Sequence, residues 1–218
     1  MDELAHLNNS NYVDFFLKTL GPDRHVDLTK DGVKPWNNGK STDDFPLDTG
    51  RMRRVLEACA AKSGYAKFAN GKGRGIGIAV HRSFLSYIAT AVEVNVDSKG
   101  SVTIPNLWTV ADVGQVVMPD RVRAQFEGAA VFGTSLAMMG EITAEAGKIV
   151  QSNFHNYPVA RMKESPRKID VTIVESNERH AGAGEPGVPV MAPAIASGIF
   201  AATGKRIRDL PIKHTKLV

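Results

Sequence analysis

Four glycines alternate through Asn70-Gly71-Lys72-Gly73-Arg74-Gly75-Ile76-Gly77, and two readings compete for that rhythm. A glycine-rich loop that cradles a phosphate needs a strand before it and a helix after it. Here the glycines run instead into Ile78-Ala79-Val80 and a long apolar segment, Ile88 to Val96. Within it Val92, Val94 and Val96 alternate with Glu93, Asn95 and Asp97. A period of two is the mark of a half-buried strand. The glycines therefore read as the entry to a strand rather than as a phosphate loop.

The rest of the chain supplies partners for that strand. Asp97-Ser98-Lys99-Gly100 is a hairpin turn into Val102 and Ile104. Trp108 to Val113 and Ile169 to Val174 read as further strands, and a second hairpin turns at Ala146-Gly147. Helices are expected over 1–20, with a break at Asn8-Asn9-Ser10-Asn11, and over 51–63, ending near Gly64. A third opens at Pro119, where the missing N–H costs nothing, and runs to about Met139. The last spans about Pro193 to Thr203, with Gly204 as its stop. Residues 21–50 hold the breakers Gly21-Pro22, Lys34-Pro35 and Phe45-Pro46 and read as a long loop. The sum is an α+β fold: a hairpin-rich mixed sheet with packed helices, read as a single domain or fragment over 1–218. Within it 1–63 is helical around the 21–50 loop, and 71–218 is the α+β region.

Composition closes off several classes. With 43% hydrophobic and 23% charged residues the chain is neither disordered nor collagen-like. The formal charge is only +4, and Lys205, Arg206, Arg208, Lys213 and Lys216 gather part of it near one end, so no nucleic-acid partner is implied. The lone Cys59 excludes an internal disulfide and reads as a buried helical residue. No His, Cys, Asp and Glu spacing suggests a protein-ligated metal. No apolar run approaches the roughly 20 residues of a membrane span. The acidic start Met1-Asp2-Glu3-Leu4 does not read as a signal peptide, which leaves cytoplasm and periplasm both open.

One carboxylate stands apart. Glu185 sits within Gly182-Ala183-Gly184-Glu185-Pro186-Gly187-Val188-Pro189, a collar of glycines and prolines just ahead of the last helix. Glycine permits unusual backbone conformations and close approach to a ligand, while proline fixes the chain. A solvated Glu needs no such collar.

That collar is one of several ordered segments. The others are Met1-Asp2-Glu3-Leu4-Ala5; Gly73-Arg74-Gly75 with Ala79-Val80-His81-Arg82-Ser83-Phe84; Pro119 to Gly128; Gln151-Ser152-Asn153-Phe154-His155-Asn156-Tyr157-Pro158; and Ala201-Ala202-Thr203-Gly204-Lys205-Arg206. Together they resemble the C-terminal part of the molybdenum-binding large subunit of the xanthine dehydrogenase/aldehyde oxidase family. The branch they resemble most is the isoquinoline 1-oxidoreductase beta-subunit type.

The resemblance implies a hydroxylating oxidoreductase of N-heterocycles or aldehydes. Glu185 matches the family's general base, which takes a proton from the water or hydroxide that attacks the substrate. The cofactor implied is molybdopterin with molybdenum, in its cytosine dinucleotide form, with iron–sulfur clusters on a small partner subunit. Gly184, Gly187 and Gln125 match cofactor-contacting positions, although Gln125 reads equally as a cap for neighbouring backbone. The first turn of the last helix, Met191 to Ala194, offers N–H groups to an anionic group of the cofactor. His81 and Phe84 are candidates for the substrate pocket, with a purely structural His81 as the competing reading. Asn153 and His155 are candidates for the same pocket or members of a hydrogen-bonded loop. The chain departs from the family at Phe132, where one branch has a cofactor-contacting Gln, and at Arg82, where branch members carry an acidic residue.

Family large subunits are several times longer. A partner is therefore expected in the remaining, N-terminal part of the large subunit, and the chain is expected to be inactive alone. A second expectation of a different class is a non-catalytic assembly module whose apolar faces seek a partner.

Overall fold

The computed structural model describes residues 1–218 throughout. Helix α1 (Asp2–Leu7) and helix α2 (Tyr12–Leu20) are separated where the asparagines predict a break, and Asn11 caps α2 by accepting from the Asp14 N–H. Two short strands, β1 (His25–Val26) and β2 (Leu47–Asp48), pair antiparallel and close the base of the long loop. Asp48 then caps helix α3 (Thr49–Ser63), and Gly64 ends it at φ 66°, a left-handed conformation that favours glycine.

The sheet follows. Strand β3 (Arg74–Ser83) turns through Phe84-Leu85 into β4 (Ser86–Val96), and then come β5 (Val102–Thr103) and β6 (Asn106–Asp112). Helix α4 (Pro119–Met138) leads to the small hairpin β7 (Ala144–Glu145) and β8 (Lys148–Ile149). Strand β9 (Lys168–Ile173) returns to the sheet, helix α5 (Met191–Thr203) follows, and a single 3-10 turn at Ile212–His214 comes last. The strand order is β3-β4-β6-β9, with β5 paired to β4. Pairs β3–β4 and β4–β6 are antiparallel, while β6–β9 is parallel and its connection contains α4. The sheet is thus mixed, and α+β is the class observed.

Helices cover both faces of this sheet, and this overturns one expectation. The alternation in β4 predicts one wet face, yet nearly the whole strand is buried. Val92 and Val94 face α5 with Ile195 and Ile199, while Ala89 and Ala91 face α3 with Val55, Leu56 and Cys59. Glu93 is 5% exposed. Its carboxylate accepts from Arg74 Nε at 2.9 Å and from Asn106 Nδ2 at 2.7 Å, so a charge inside the alternation is paired rather than solvated.

The glycine rhythm acquires a reason. A Cβ on Gly75 would lie 2.3 Å from the Gly198 carbonyl oxygen, and one on Gly77 would lie 2.1 Å from that of Ala194. The bare positions let α5 rest directly on β3. Residues 21–50 are anchored rather than free. Tyr87 Oη donates to the Pro46 carbonyl and accepts from the Asp48 N–H, and Arg82 Nη2 donates to Asn37 Oδ1 at 2.8 Å. No helix is long and apolar enough to cross a membrane.

Candidate functional site

The Glu185 turn is held at three places. Before it, the Gly182 N–H donates to the Phe84 carbonyl at 2.9 Å and the Gly182 carbonyl accepts from Ser86 Oγ at 2.6 Å. At the turn, the Val188 N–H donates to the Glu185 carbonyl at 3.0 Å, closing a four-residue β-turn with Pro186 in its second position. The Pro186 carbonyl accepts from His81 Nε2 at 2.7 Å. After it, a second turn, Met191 N–H to Val188 carbonyl at 3.1 Å, starts α5. The tip of the β3–β4 hairpin and the N-terminus of α5 therefore fix both ends of the segment.

The collar works differently from its sequence reading. Gly182, Gly184 and Gly187 all avoid the positive φ values that favour glycine. Gly182 and Gly187 serve close packing instead. A Cβ on Gly182 would meet Phe84 Cβ at 2.6 Å, and one on Gly187 would meet Phe126 and Ala129 of α4 at 2.7 and 2.8 Å. Gly187 makes room for its own protein's α4 rather than for a ligand. Gly184 borders open space. In the first turn of α5 the Ala192 N–H has no acceptor on this chain, whereas Met191 and Ala194 are buried, and their N–H groups donate to the Val188 and Val190 carbonyls. Those N–H groups do not face a ligand.

What remains free is Glu185 itself. Its side chain is exposed and makes no hydrogen bond or ion pair. The peptide N–H groups of Ala183, Gly184 and Glu185 find no acceptor on this chain. An unpartnered carboxylate beside three unpartnered N–H donors suits an oxygen-rich ligand that both accepts hydrogen bonds and yields a proton. No group of three or more His, Cys, Asp and Glu side chains is placed to hold a metal ion.

Of the other candidates, His81 and Phe84 are brought to this turn. His81 is half-buried, and burial holds its pKa below the usual imidazole value against the opposing pull of the Pro186 carbonyl. Phe84 sits at the hairpin tip at φ 49° and is 41% exposed. Gln125 is exposed on α4, one residue before Phe126, with its amide unpaired, so it caps no neighbouring backbone.

Asn153 and His155 are not brought in. Their exposed loop is bonded to itself: Asn156 Oδ1 accepts from the Ser152 and Asn153 N–H groups, and Asn153 Oδ1 accepts from that of Phe154. The loop rejoins the body where the Ala160 N–H donates to Ser135 Oγ. Ser135 lies nine residues beyond Phe126, about 14 Å along α4 at ~1.5 Å per residue. Sequence reasoning also missed Ser86 and Phe126 as supports of the turn. Ser86 is 96 residues from its partner Gly182, and no local pattern announces such a pair.

Residues 61–166 match the family model described as a molybdopterin cofactor-binding domain, a span that includes His81, Phe84, Gln125, Asn153 and His155 and ends before Glu185. The chain is 35% identical over 144 residues to isoquinoline 1-oxidoreductase subunit beta of Brevundimonas diminuta, covering 66% of this chain and 18% of the relative. It is 31% identical over 221 residues to a membrane-bound aldehyde dehydrogenase (pyrroloquinoline-quinone) of Gluconacetobacter polyoxogenes, covering 98% of this chain and 26% of the relative. Its fold is similar to that of the aldehyde oxidoreductase from Desulfovibrio gigas, with a TM-score of 0.51 at 26% identity over 58% of this chain and 14% of that one. The chain therefore spans about a quarter or less of the relatives' length, 26% at most among these. It belongs to the family of molybdenum-binding large subunits of the xanthine dehydrogenase/aldehyde oxidase type, of which it carries one segment.

Proposed function

We propose that this segment supplies the proton-accepting carboxylate of a molybdenum-cofactor-dependent oxidoreductase that hydroxylates N-heterocycles or aldehydes. The observation that carries the reading is Glu185: an exposed carboxylate with no partner of its own, on a turn anchored before, at and after it. A general base needs a free acceptor within hydrogen-bond reach of the proton it removes, held in a fixed direction. Glu185 has both properties on this chain.

The donor set of the turn fits such a cofactor. Molybdopterin presents carbonyl, phosphate and metal-bound oxygens, all hydrogen-bond acceptors. The free N–H groups of Ala183, Gly184 and Glu185 would hold such a group, and the unpaired Gln125 amide on α4 is a further free donor. When bound, the cofactor supplies the two-electron oxidation. The chain's residues do the rest: Glu185 removes the proton from the attacking water, and Phe84 and its hairpin fix the approach to the turn. The cytosine dinucleotide form, an iron–sulfur subunit as electron acceptor, and the remainder of the large subunit as partner complete the proposal. The same partial cradle carries the expectation of inactivity alone, because one flank of the turn is open.

Glu185→Gln tests it. The variant keeps the shape of the side chain and cannot take the proton. In the assembled enzyme kcat should fall by about 10²–10⁴ with cofactor content unchanged. Turnover within about twofold of the parent would remove Glu185 as the base.

One observation favours the assembly-module reading. Phe132, Leu136, Ile142, Ile149, Phe154 and Met162 are large apolar residues exposed along the outer side of α4 and the segments after it. Scattered exposed apolar residues are ordinary, and several on neighbouring segments would suit a partner where they share one face. An assembled complex that binds this chain and turns over substrate equally well with Glu185→Gln would favour that reading.

A further inference from the structure

We infer that His81 is a positioning residue for Glu185, fixing the peptide unit that follows the carboxylate. The inference rests on Glu185 being the base. His81 Nε2 lies 2.7 Å from the Pro186 carbonyl oxygen. A carbonyl only accepts, so the ring proton is on Nε2. Burial favours the neutral ring, which leaves Nδ1 bare and sets a single tautomer. This is the one side-chain hydrogen bond to any residue between 183 and 190.

The placement gives that bond its effect. Pro186 directly follows Glu185, and its ring already fixes φ. Holding its carbonyl sets the second soft dihedral of the same residue, so the turn beyond the carboxylate has little freedom left. The anchor is itself rigid. His81 pairs with Ile88 in the β3–β4 ladder, and Ile88 is fully buried. Its donor nitrogen is occupied by the protein's own backbone, so His81 offers a ligand only Nδ1. That suits it to brace the turn.

The test compares two short polar replacements. The amide nitrogen of His81→Gln reaches about as far as Nε2, whereas that of His81→Asn falls short. In the assembled enzyme His81→Asn should lower kcat about ten- to hundredfold, with KM within about twofold, as expected for a misplaced base rather than weakened binding. His81→Gln should recover most of the loss. A second readout needs no cofactor. The Val188 amide, bonded to the Glu185 carbonyl, should exchange its hydrogen about tenfold faster in the Asn variant of the 218-residue chain, and near the parent rate in the Gln variant. Unchanged Val188 exchange in the Asn variant, or equal damage from Gln and Asn, would overturn the inference. If Glu185→Gln proves active, the base assignment falls on its own, and the exchange measurement still decides whether His81 braces the turn.

Discussion

Arg51 and Asp112 share the most deeply buried ion pair in the molecule, with side-chain exposures of 5% and 0%. Arg51 Nε donates to Asp112 Oδ2 at 2.8 Å and Nη2 to Oδ1 at 2.6 Å, a two-pronged contact that also takes the Gly114 N–H. Burial works against the Arg51 charge, but the carboxylate outweighs it, and the guanidinium pKa is raised. Removing one member strands the other without water. Asp112→Ala should cost about 3–5 kcal/mol in urea unfolding, whereas Arg51→Met with Asp112→Leu should recover most of it. A single-variant loss below about 1 kcal/mol would mean that the guanidinium finds water or another partner. Nothing in the sequence singles out this pair. The two residues are 61 positions apart, and each reads as an ordinary polar residue in its own segment. Glu185 stands out as a candidate in the sequence because its neighbours form a motif. His81 was legible as a candidate, but its bond to the Pro186 carbonyl was not, because that partner is a backbone oxygen 105 residues away.

At the level of elements, local chemistry predicted most of the fold. Asn11 caps α2, Gly64 and Gly204 end their helices, and Pro119 opens α4, whereas the Asp48 cap, which starts α3 two residues early, was not foreseen. Hairpins appeared at Asp97-Ser98-Lys99-Gly100 and at Ala146-Gly147, as their turn residues predict. Burial on both faces of β4 was not legible, since alternation is the same whether the second face meets water or a polar pairing under a helix. The function of Gly75 and Gly77 was also hidden, because it depends on α5, more than a hundred residues on. Their role gives a sharp expectation. Gly77→Ala sets a methyl 2.1 Å from one α5 backbone atom and 2.3 Å from another, so the helix must move. A loss of about 1–3 kcal/mol is expected by thermal or urea unfolding. Gly128→Ala is the control: its methyl meets nothing within 4 Å inside α4, and a gain of up to about 1 kcal/mol is expected. Equal losses from both would mean that close helix–sheet approach is not what the β3 glycines provide.

For the molecule as a whole, three layers divide the labour. Helix α3 and the anchored loop back one face of the sheet, α5 and α4 the other, and the candidate base stands at the end of the β3–β4 hairpin. One side of that turn is open to solvent, so under the proposed role the 218-residue chain alone should hold far less than one molybdenum per chain and show no dye-linked oxidation. Metal assay and turnover of the purified chain check this, and stoichiometric metal with activity would contradict it. The overall class and family pattern were readable from the ordered segments, whereas the open flank is a property of the assembled surface that no single segment carries. One consequence follows from Glu185 having no partner here. Its replacement leaves every contact of the fold in place, so inactive versions should melt where the parent does. Under the role proposed for Glu185, such a version keeps the shape of the protein and loses only the free proton acceptor.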